Sequence, residues 1–332
     1  MNTWGHSLRL SIFGESHGPA VGIVMDGLPP GEVVDLTAVA DEMRRRAPGR
    51  DETATARRET DAAEIVSGLL DGRTTGAPLC ALIRNADTRS ADYDTPLRPG
   101  HADWTALLKY KGFADRRGGG HFSGRLTAPL VFAGALAKQV LARRGVTVTA
   151  RALRIAGQTD PELQRTAILE AKCDGDSVGG VVEVVAEGVP TGLGEPFFAS
   201  VESVAASLFF AIPAVKGVEF GGGFALAGLR GSQANDPLYL EEGRVRARAN
   251  HSGGILGGIT NGEPVTARVA FKPTPSIALP QQTVDPETMT ETAFAVRGRH
   301  DPCVVPRAVP VVEAALALAL LDCLLWRGEA AP

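Results

Sequence analysis

Apolar and polar side chains alternate over Leu8-Arg9-Leu10-Ser11-Ile12-Phe13, the period-2 pattern of a half-buried strand, and Val21-Gly22-Ile23-Val24-Met25 predicts a second strand. Residues 63–67 and 78–83 read as further strands. A helix capped by Asp35 or Thr37 runs to Arg46 and stops at Ala47-Pro48-Gly49. Over 127–144, Leu130, Ala133, Gly134, Ala137, Val140 and Leu141 recur at helical spacing, and Gly145 supplies the stop. The pattern then predicts a strand at 146–150, a helix from Asp160-Pro161 to about Lys172, and a strand at 178–185. An apolar helix follows at 201–212, a glycine-rich strand region at 218–229, a strand at 265–271 and a long closing helix at 307–326. The polar, arginine-rich stretch 231–252 predicts a mobile loop. No linker and no convincing internal repeat interrupts the chain, so mixed α and β with many non-sequential pairings is the expectation.

Composition narrows the class. A chain of 332 residues that is 44% hydrophobic can bury a large core. The most apolar stretch, 311–326, carries Glu313 and Asp322 and reads as a buried helix rather than a membrane span. No basic region followed by an apolar core opens the chain, so no signal peptide and a cytoplasmic location are expected. Cys80, Cys173, Cys303 and Cys323 form no C-x-x-C pair, which argues against zinc, against any other metal site of that kind and against a disulfide framework.

Charge is lopsided in kind rather than in amount. Net charge is −4, yet of 34 basic residues only six are lysines. Genome composition accounts for the bias as readily as function does; the clustering of Arg44-Arg45-Arg46, Arg50, Arg57-Arg58, Arg116-Arg117 and Arg125 near glycine or proline is harder to dismiss. Guanidinium forks suit carboxylate and phosphate. A nucleic-acid surface would come with basic net charge and interleaved aromatics, and both are missing, so a small anionic ligand is expected instead.

Four short constellations carry candidate chemistry. Gly14-Glu15-Ser16-His17-Gly18, between the first two strands, puts a carboxylate, a hydroxyl and an imidazole in one glycine-bounded turn; it serves equally well as a plain polar turn or as a proton-transfer site. Arg98-Pro99-Gly100-His101-Ala102-Asp103 pins a turn that presents Arg98, His101 and Asp103 together. Asp115-Arg116-Arg117-Gly118-Gly119-Gly120-His121-Phe122-Ser123-Gly124-Arg125 lets the backbone approach a ligand, and the helix after it offers free N–H groups to an anion. Arg297-Gly298-Arg299-His300-Asp301-Pro302-Cys303 brings base, acid and imidazole together before the last helix, where a surface turn is the default.

In order and spacing these blocks, with Asp26-Gly27-Leu28-Pro29-Pro30-Gly31 and Asn250-His251-Ser252-Gly253-Gly254-Ile255-Leu256-Gly257-Gly258, closely resemble the chorismate synthase family from about residue 5 to 325. The resemblance implies one catalytic domain over 1–332, its last few residues disordered, with an α+β fold: a β-α-β sandwich in which a helical layer lies between antiparallel sheets, assembled as a homotetramer. It implies a lyase that eliminates phosphate 1,4-anti from 5-enolpyruvylshikimate 3-phosphate to give chorismate. Reduced FMN is required without net redox change, and NADPH is the candidate reductant.

By the same resemblance, His17 protonates the leaving phosphate with Ser16 as relay, His101 protonates the reduced flavin, and Asp301 assists removal of the substrate proton. Arg46, Arg98 and Arg125 hold substrate anions. Flavin contacts map to His121, Phe122, Ser123, Ala214, Gly257, Lys272, Pro273, Thr274, Pro275, Ser276 and Arg299. The chain also departs from the family pattern. His121-Phe122-Ser123-Gly124-Arg125 stands where many members have Arg-Ser-Ser-Ala-Arg, so a flavin contact passes to the backbone or to His121. Ala47 replaces an arginine, Pro213 an asparagine, and Glu52 a basic residue, the last weakening a nicotinamide-nucleotide contact there. Two other classes fit the residues less specifically: an ordinary redox flavoenzyme, and a non-enzymatic anion-binding protein.

Overall fold

The computed structural model describes residues 2–49, 52–55, 59–86, 96–296 and 301–327. In chain order the elements begin β1 (Thr3–Trp4), β2 (Arg9–Gly14), β3 (Ala20–Asp26), α1 (Leu36–Arg46), β4 (Ala63–Ser67), β5 (Leu69–Leu70), β6 (Arg73–Thr74) and β7 (Leu79–Arg84). They continue with α2 (Asp103–Lys109), α3 (Thr127–Ala142), β8 (Thr147–Ile155), α4 (Pro161–Cys173), β9 (Gly180–Glu187), α5 (Val201–Ala211), β10 (Val215–Phe220) and α6 (Gly231–Ala234). The hairpins β11 (Leu238–Glu241)/β12 (Arg244–Ala247) and β13 (Ile255–Leu256)/β14 (Ile259–Thr260) precede β15 (Val265–Phe271), β16 (Gln281–Asp285), β17 (Thr290–Phe294) and α7 (Val305–Trp326).

Two antiparallel sheets enclose a helical layer. One has the order β1-β2-β3-β7-β4 and the other β10-β15-β9-β8. Alternation decides which face turns inward. Val21, Ile23 and Met25 of β3 are fully buried, as are Val182, Val184 and Ala186 of β9, while β15 alternates strictly through Val265, Ala267, Val269 and Phe271. Helix α3 lies on β3 and β7, α7 lies on β8 and β9, and the two helices pack on each other. Their closest approach is set by Gly134, where a Cβ would come within 2.2 Å of the Ala314 Cβ. Helix α7 is long and apolar enough to cross a membrane, yet its side chains from Val311 to Cys323 are buried inside the protein.

Charges inside that layer are paired. Glu313 of α7 accepts from Arg45 at 2.7 Å, from Lys138 at 2.7 Å and from the Ala150 N–H at 2.9 Å, which ties α1, α3 and β8 to α7. Asp322 accepts the backbone N–H groups of His6, Ser7 and Leu8, fixing the entry to the first sheet.

Two segments depart from the pattern-based expectation. The strand read at 218–229 ends at Phe220, and Gly223–Gly228 winds into a short 3-10 helix because Gly221 and Gly223 both take φ +54° and Glu219 accepts the Phe224 N–H. Residues 231–252 are not a structureless loop. They form α6 and the β11–β12 hairpin, closed by Glu242 (φ +49°) and Gly243 (φ +76°) as a two-residue turn with both residues left-handed. Asp236 accepts the His251 and Ser252 N–H groups, and the Arg248 guanidinium lies 4.8 Å from the Tyr239 ring centre. The expectation for the chain's last residues lies outside the described ones.

Candidate active site

The β2–β3 turn is built by its glycines and held from outside. Gly14 takes φ +96°, a conformation that a side chain would strain. The buried Ser16 donates its backbone N–H to Gly120 O at 3.1 Å. Asn85 donates to the carbonyls of Glu15 (3.0 Å) and Gly18 (2.8 Å) and accepts from Arg125 Nε at 2.9 Å, so one amide joins the histidine turn to a buried guanidinium.

The triple glycine comes up against both candidate imidazoles. Gly118, Gly119 and Gly120 take φ of +60°, +81° and +53°. A Cβ at Gly118 would lie 2.3 Å from the His17 ring, and one at Gly119 would lie 3.3 Å from His101 Nε2. His17 and His101, more than eighty positions apart in sequence, therefore meet at this loop.

His101 belongs to a closed ionic group. Its Nδ1 is 2.6 Å from Asp103 Oδ1, and Arg98 donates from Nε to Oδ2 and from a terminal nitrogen to Oδ1, both at 2.8 Å. Arg98 also donates to Ser276 Oγ at 3.2 Å. Burial acts to raise the Asp103 carboxyl, but the hydrogen bonds from Arg98 and His101 override it and hold the group far below the ordinary carboxylate range.

A second group surrounds Asp61, whose side chain is fully buried. Arg125 donates to its Oδ1, and Arg46 approaches Oδ2 at 3.0 Å. Burial, opposed by Asp61 and assisted by Arg307 and Arg125, pushes the Arg46 guanidinium down to about 9. Arg46 Nε has no hydrogen-bond partner among the described residues. Asp301 accepts the Thr55 N–H at 3.2 Å and Arg307 at 2.5 Å, while Arg307 Nε reaches back to Arg46 O at 3.1 Å.

These groups border one cavity of about 620 Å³. Arg46, Arg98, Arg125, Arg307 and Lys272 face it against Glu59 and Asp301. Its wall also includes His101, His121, Phe122, Ser123, Ala214, Thr274, Pro275 and Ser276. Lys272 donates to Gly100 O and its N–H bonds Ala214 O at 2.9 Å, which places both candidate flavin segments on one side. Thr274 Oγ1 is buried without a partner among the described residues.

Other candidates fall elsewhere. Ser16 and His17 do not line the cavity; they sit behind the glycine loop that does. Pro273 borders a smaller neighbouring hollow, and Gly257 is exposed in the β13–β14 turn away from the cavity. Both His121 nitrogens are occupied, Nδ1 by Gly14 O at 3.0 Å and Nε2 by the Asn2 side chain at 3.1 Å. Arg299 lies outside the described residues, as do Arg50, Arg57, Arg58, Arg297 and His300. Asp61, Asn85 and Arg307 were missed by the sequence reading, because an isolated carboxylate, amide or helix-start arginine carries no spacing signal.

Comparisons with known proteins point one way. The chorismate synthase family model matches residues 8–325. Chorismate synthase of Archaeoglobus fulgidus is 49% identical, with 99% of this chain and 98% of the relative covered. That of Thermococcus kodakarensis is 49% identical, with 98% and 99% covered. A crystal structure of chorismate synthase superposes with TM-score 0.75 at 29% identity, covering 98% of this chain and 94% of the other. With the family model spanning nearly the whole length and the same fold in the solved relative, the chain belongs to the chorismate synthase family.

Proposed function

We propose that the protein is a phosphate-eliminating lyase that converts 5-enolpyruvylshikimate 3-phosphate to chorismate by 1,4-anti elimination. The observation that carries this reading is a cavity walled by buried arginines with two imidazoles brought to the same glycine loop. A polyanionic substrate needs fixed positive charge that is already oriented, and Arg46, Arg98 and Arg125 are held in place by buried carboxylates before any ligand arrives. His17 is assigned the proton for the departing phosphate, with Ser16 as relay, and Asp301 an assisting part in the removal of the carbon 6 proton. His101 is assigned proton exchange with the cofactor through its ring.

The cavity fits a flavin. Its volume lies in the range of small-molecule sites, and Thr274 Oγ1 and Arg46 Nε are buried polar atoms with unspent hydrogen bonds among the described residues. His121, Phe122, Ser123, Ala214 and the run from Lys272 to Ser276 would hold reduced FMN, with Gly257 and Arg299 as further assigned contacts. When bound, the reduced flavin supplies transient electron density to the substrate and recovers it, which is the part of the chemistry no side chain here can provide. With His121 tied to Gly14 and Asn2, the 121–123 segment would contact flavin through backbone and Ser123.

We read the chain as one catalytic unit in a cytoplasmic homotetramer. Four free cysteines suit a reducing compartment, and the exposed Phe197, Phe198, Phe224, Leu238, Leu240 and Val245 suit association between copies.

The deciding assay is anaerobic turnover with prereduced FMN and no electron acceptor. Chorismate and phosphate form in equal amounts with no flavin consumed; stoichiometric flavin oxidation would favour an ordinary redox enzyme. His17→Ala and His101→Ala each lower turnover by roughly 10²–10⁴ while sparing the fold. Near-normal turnover in both would leave a non-enzymatic anion-binding protein. NADPH with oxidised FMN, compared with and without an external reductant, tests for reduction of its own flavin.

A further inference from the structure

The ring of His101 has two nitrogens, and the structure treats them differently. Nδ1 meets Asp103 Oδ1 at 2.6 Å and an Arg98 nitrogen at 2.9 Å. An ionised carboxylate has no proton to give, so the proton in the shorter Nδ1···Oδ1 contact resides on Nδ1; the Arg98 nitrogen, a donor only, then spends its hydrogen on Asp103 Oδ1 at 2.8 Å rather than on the ring. Nε2 is the nitrogen beside Gly119, and His101 is one of the residues that line the cavity. Asp103 itself cannot turn. Three Arg98 donors hold it: Nε at 2.8 Å and the backbone N–H at 3.0 Å on Oδ2, and the terminal nitrogen at 2.8 Å on Oδ1. It is buried at the first position of α2.

We propose that Asp103 is a positioning residue for His101: it fixes the neutral ring as the Nδ1–H tautomer and so leaves Nε2 as the one nitrogen that takes and gives a proton in the cavity. This rests on the assignment of His101 to proton exchange with the cofactor. Arg98 then has a second duty beside the substrate anion, since it anchors the carboxylate that orients the base.

Substitution by asparagine should reverse the ring. Two Arg98 donors, Nε and the backbone N–H, demand an acceptor at the Oδ2 position against one terminal nitrogen at Oδ1, so the amide oxygen is drawn to the Oδ2 position, the NH₂ group faces Nδ1, and the terminal nitrogen is left to donate to the ring. Nδ1 must then accept, and the proton moves to Nε2.

The test is ¹⁵N NMR of ligand-free protein labelled at histidine, with the His101 ring signals identified by their loss in His101→Ala, beside steady-state kinetics of each variant. Wild type shows a protonated Nδ1 and a bare Nε2 in its neutral form. Asp103→Asn shows the reverse and lowers kcat by roughly 10²–10⁴ with KM little changed, and Asp103→Glu restores the Nδ1–H signal and part of the turnover. A wild-type ring protonated on Nε2 overturns the proposal even if no Asp103 variant folds. So does an Asp103→Asn protein that keeps the Nδ1–H tautomer or wild-type kcat. Full turnover in His101→Ala would instead overturn the assignment of His101 itself, leaving the tautomer result to stand or fall separately.

Discussion

Gly118 and His17 share a single space: a Cβ on the glycine would lie 2.3 Å from the imidazole Cδ2 and 2.4 Å from Nε2. The absence of a side chain at 118 therefore permits the histidine's position. Gly118→Ala should displace the His17 ring and also strain the backbone at φ +60°. At Gly119 the corresponding clearance from His101 is 3.3 Å. Turnover is expected to fall at least tenfold further in Gly118→Ala than in Gly119→Ala, with thermal midpoints of the two within a few degrees; equal activity in the two would refute the order.

Asp61 is the counter-ion of Arg46 and Arg125, and all three side chains are buried. Asp61→Asn keeps the shape and removes the charge, leaving two guanidiniums facing each other without a carboxylate. Loss of one partner from a buried pair costs about 3–5 kcal/mol. Urea denaturation should report a loss of that order, and adding phosphate at millimolar concentration should restore part of it, since an anion in the cavity replaces the missing charge.

Gly134 lets α3 and α7 touch, with 2.2 Å between a hypothetical Cβ and the Ala314 Cβ. Alanine there improves helix propensity yet forces the helices apart, and overpacking of this kind costs about 1–3 kcal/mol. A lowered thermal midpoint in Gly134→Ala, recovered in part by Ala314→Gly, is the expected pair of results. Additive losses would show that the contact is not the cause.

Glu313 predicts an acid limb of stability. Burial raises its carboxyl, but the hydrogen bonds from Arg45 and the charge and hydrogen bond of Lys138 prevail and hold it below the ordinary glutamate value. On acidification the unfolded chain therefore takes up this proton before the folded one does. Its stabilisation is complete above the ordinary glutamate value of the unfolded chain and is lost as pH falls through the lower folded value. Midpoints of urea unfolding from pH 7 to pH 3 should fall more steeply in wild type than in Glu313→Gln, with the two converging at the acid end; parallel curves would exclude Glu313 as a contributor.

Much of the fold is legible in the chain because local rules act on neighbouring residues. Asp35 and Asp160 cap the helices they precede by accepting N–H groups of the first turn, and the alternation of Val265 to Phe271 names its own buried face. The 231–252 segment was opaque because its hairpin rests on a Glu-Gly turn and on Asp236 reaching fifteen residues ahead, neither of which leaves a periodic trace. The candidate site divides in the same way. Gly-Glu-Ser-His-Gly, the triple glycine and Arg-Pro-Gly-His-Ala-Asp are readable as separate blocks, whereas Asn85 and Asp61 acquire meaning only beside Arg125.

The sequence by itself determined the family, most of the longer strands and helices, and the chemical types available to the site. Tertiary structure alone decided that the glycines at 118 and 119 come up against the imidazoles at 17 and 101, that Asp103 meets Nδ1 rather than Nε2, and that His121 bonds Gly14 and Asn2. The physical reason is range. Propensity, capping and periodicity act over a few residues, but hydrogen bonds and ion pairs act over about 3 Å, and only the packed sheets and helices bring residues a hundred positions apart to that distance.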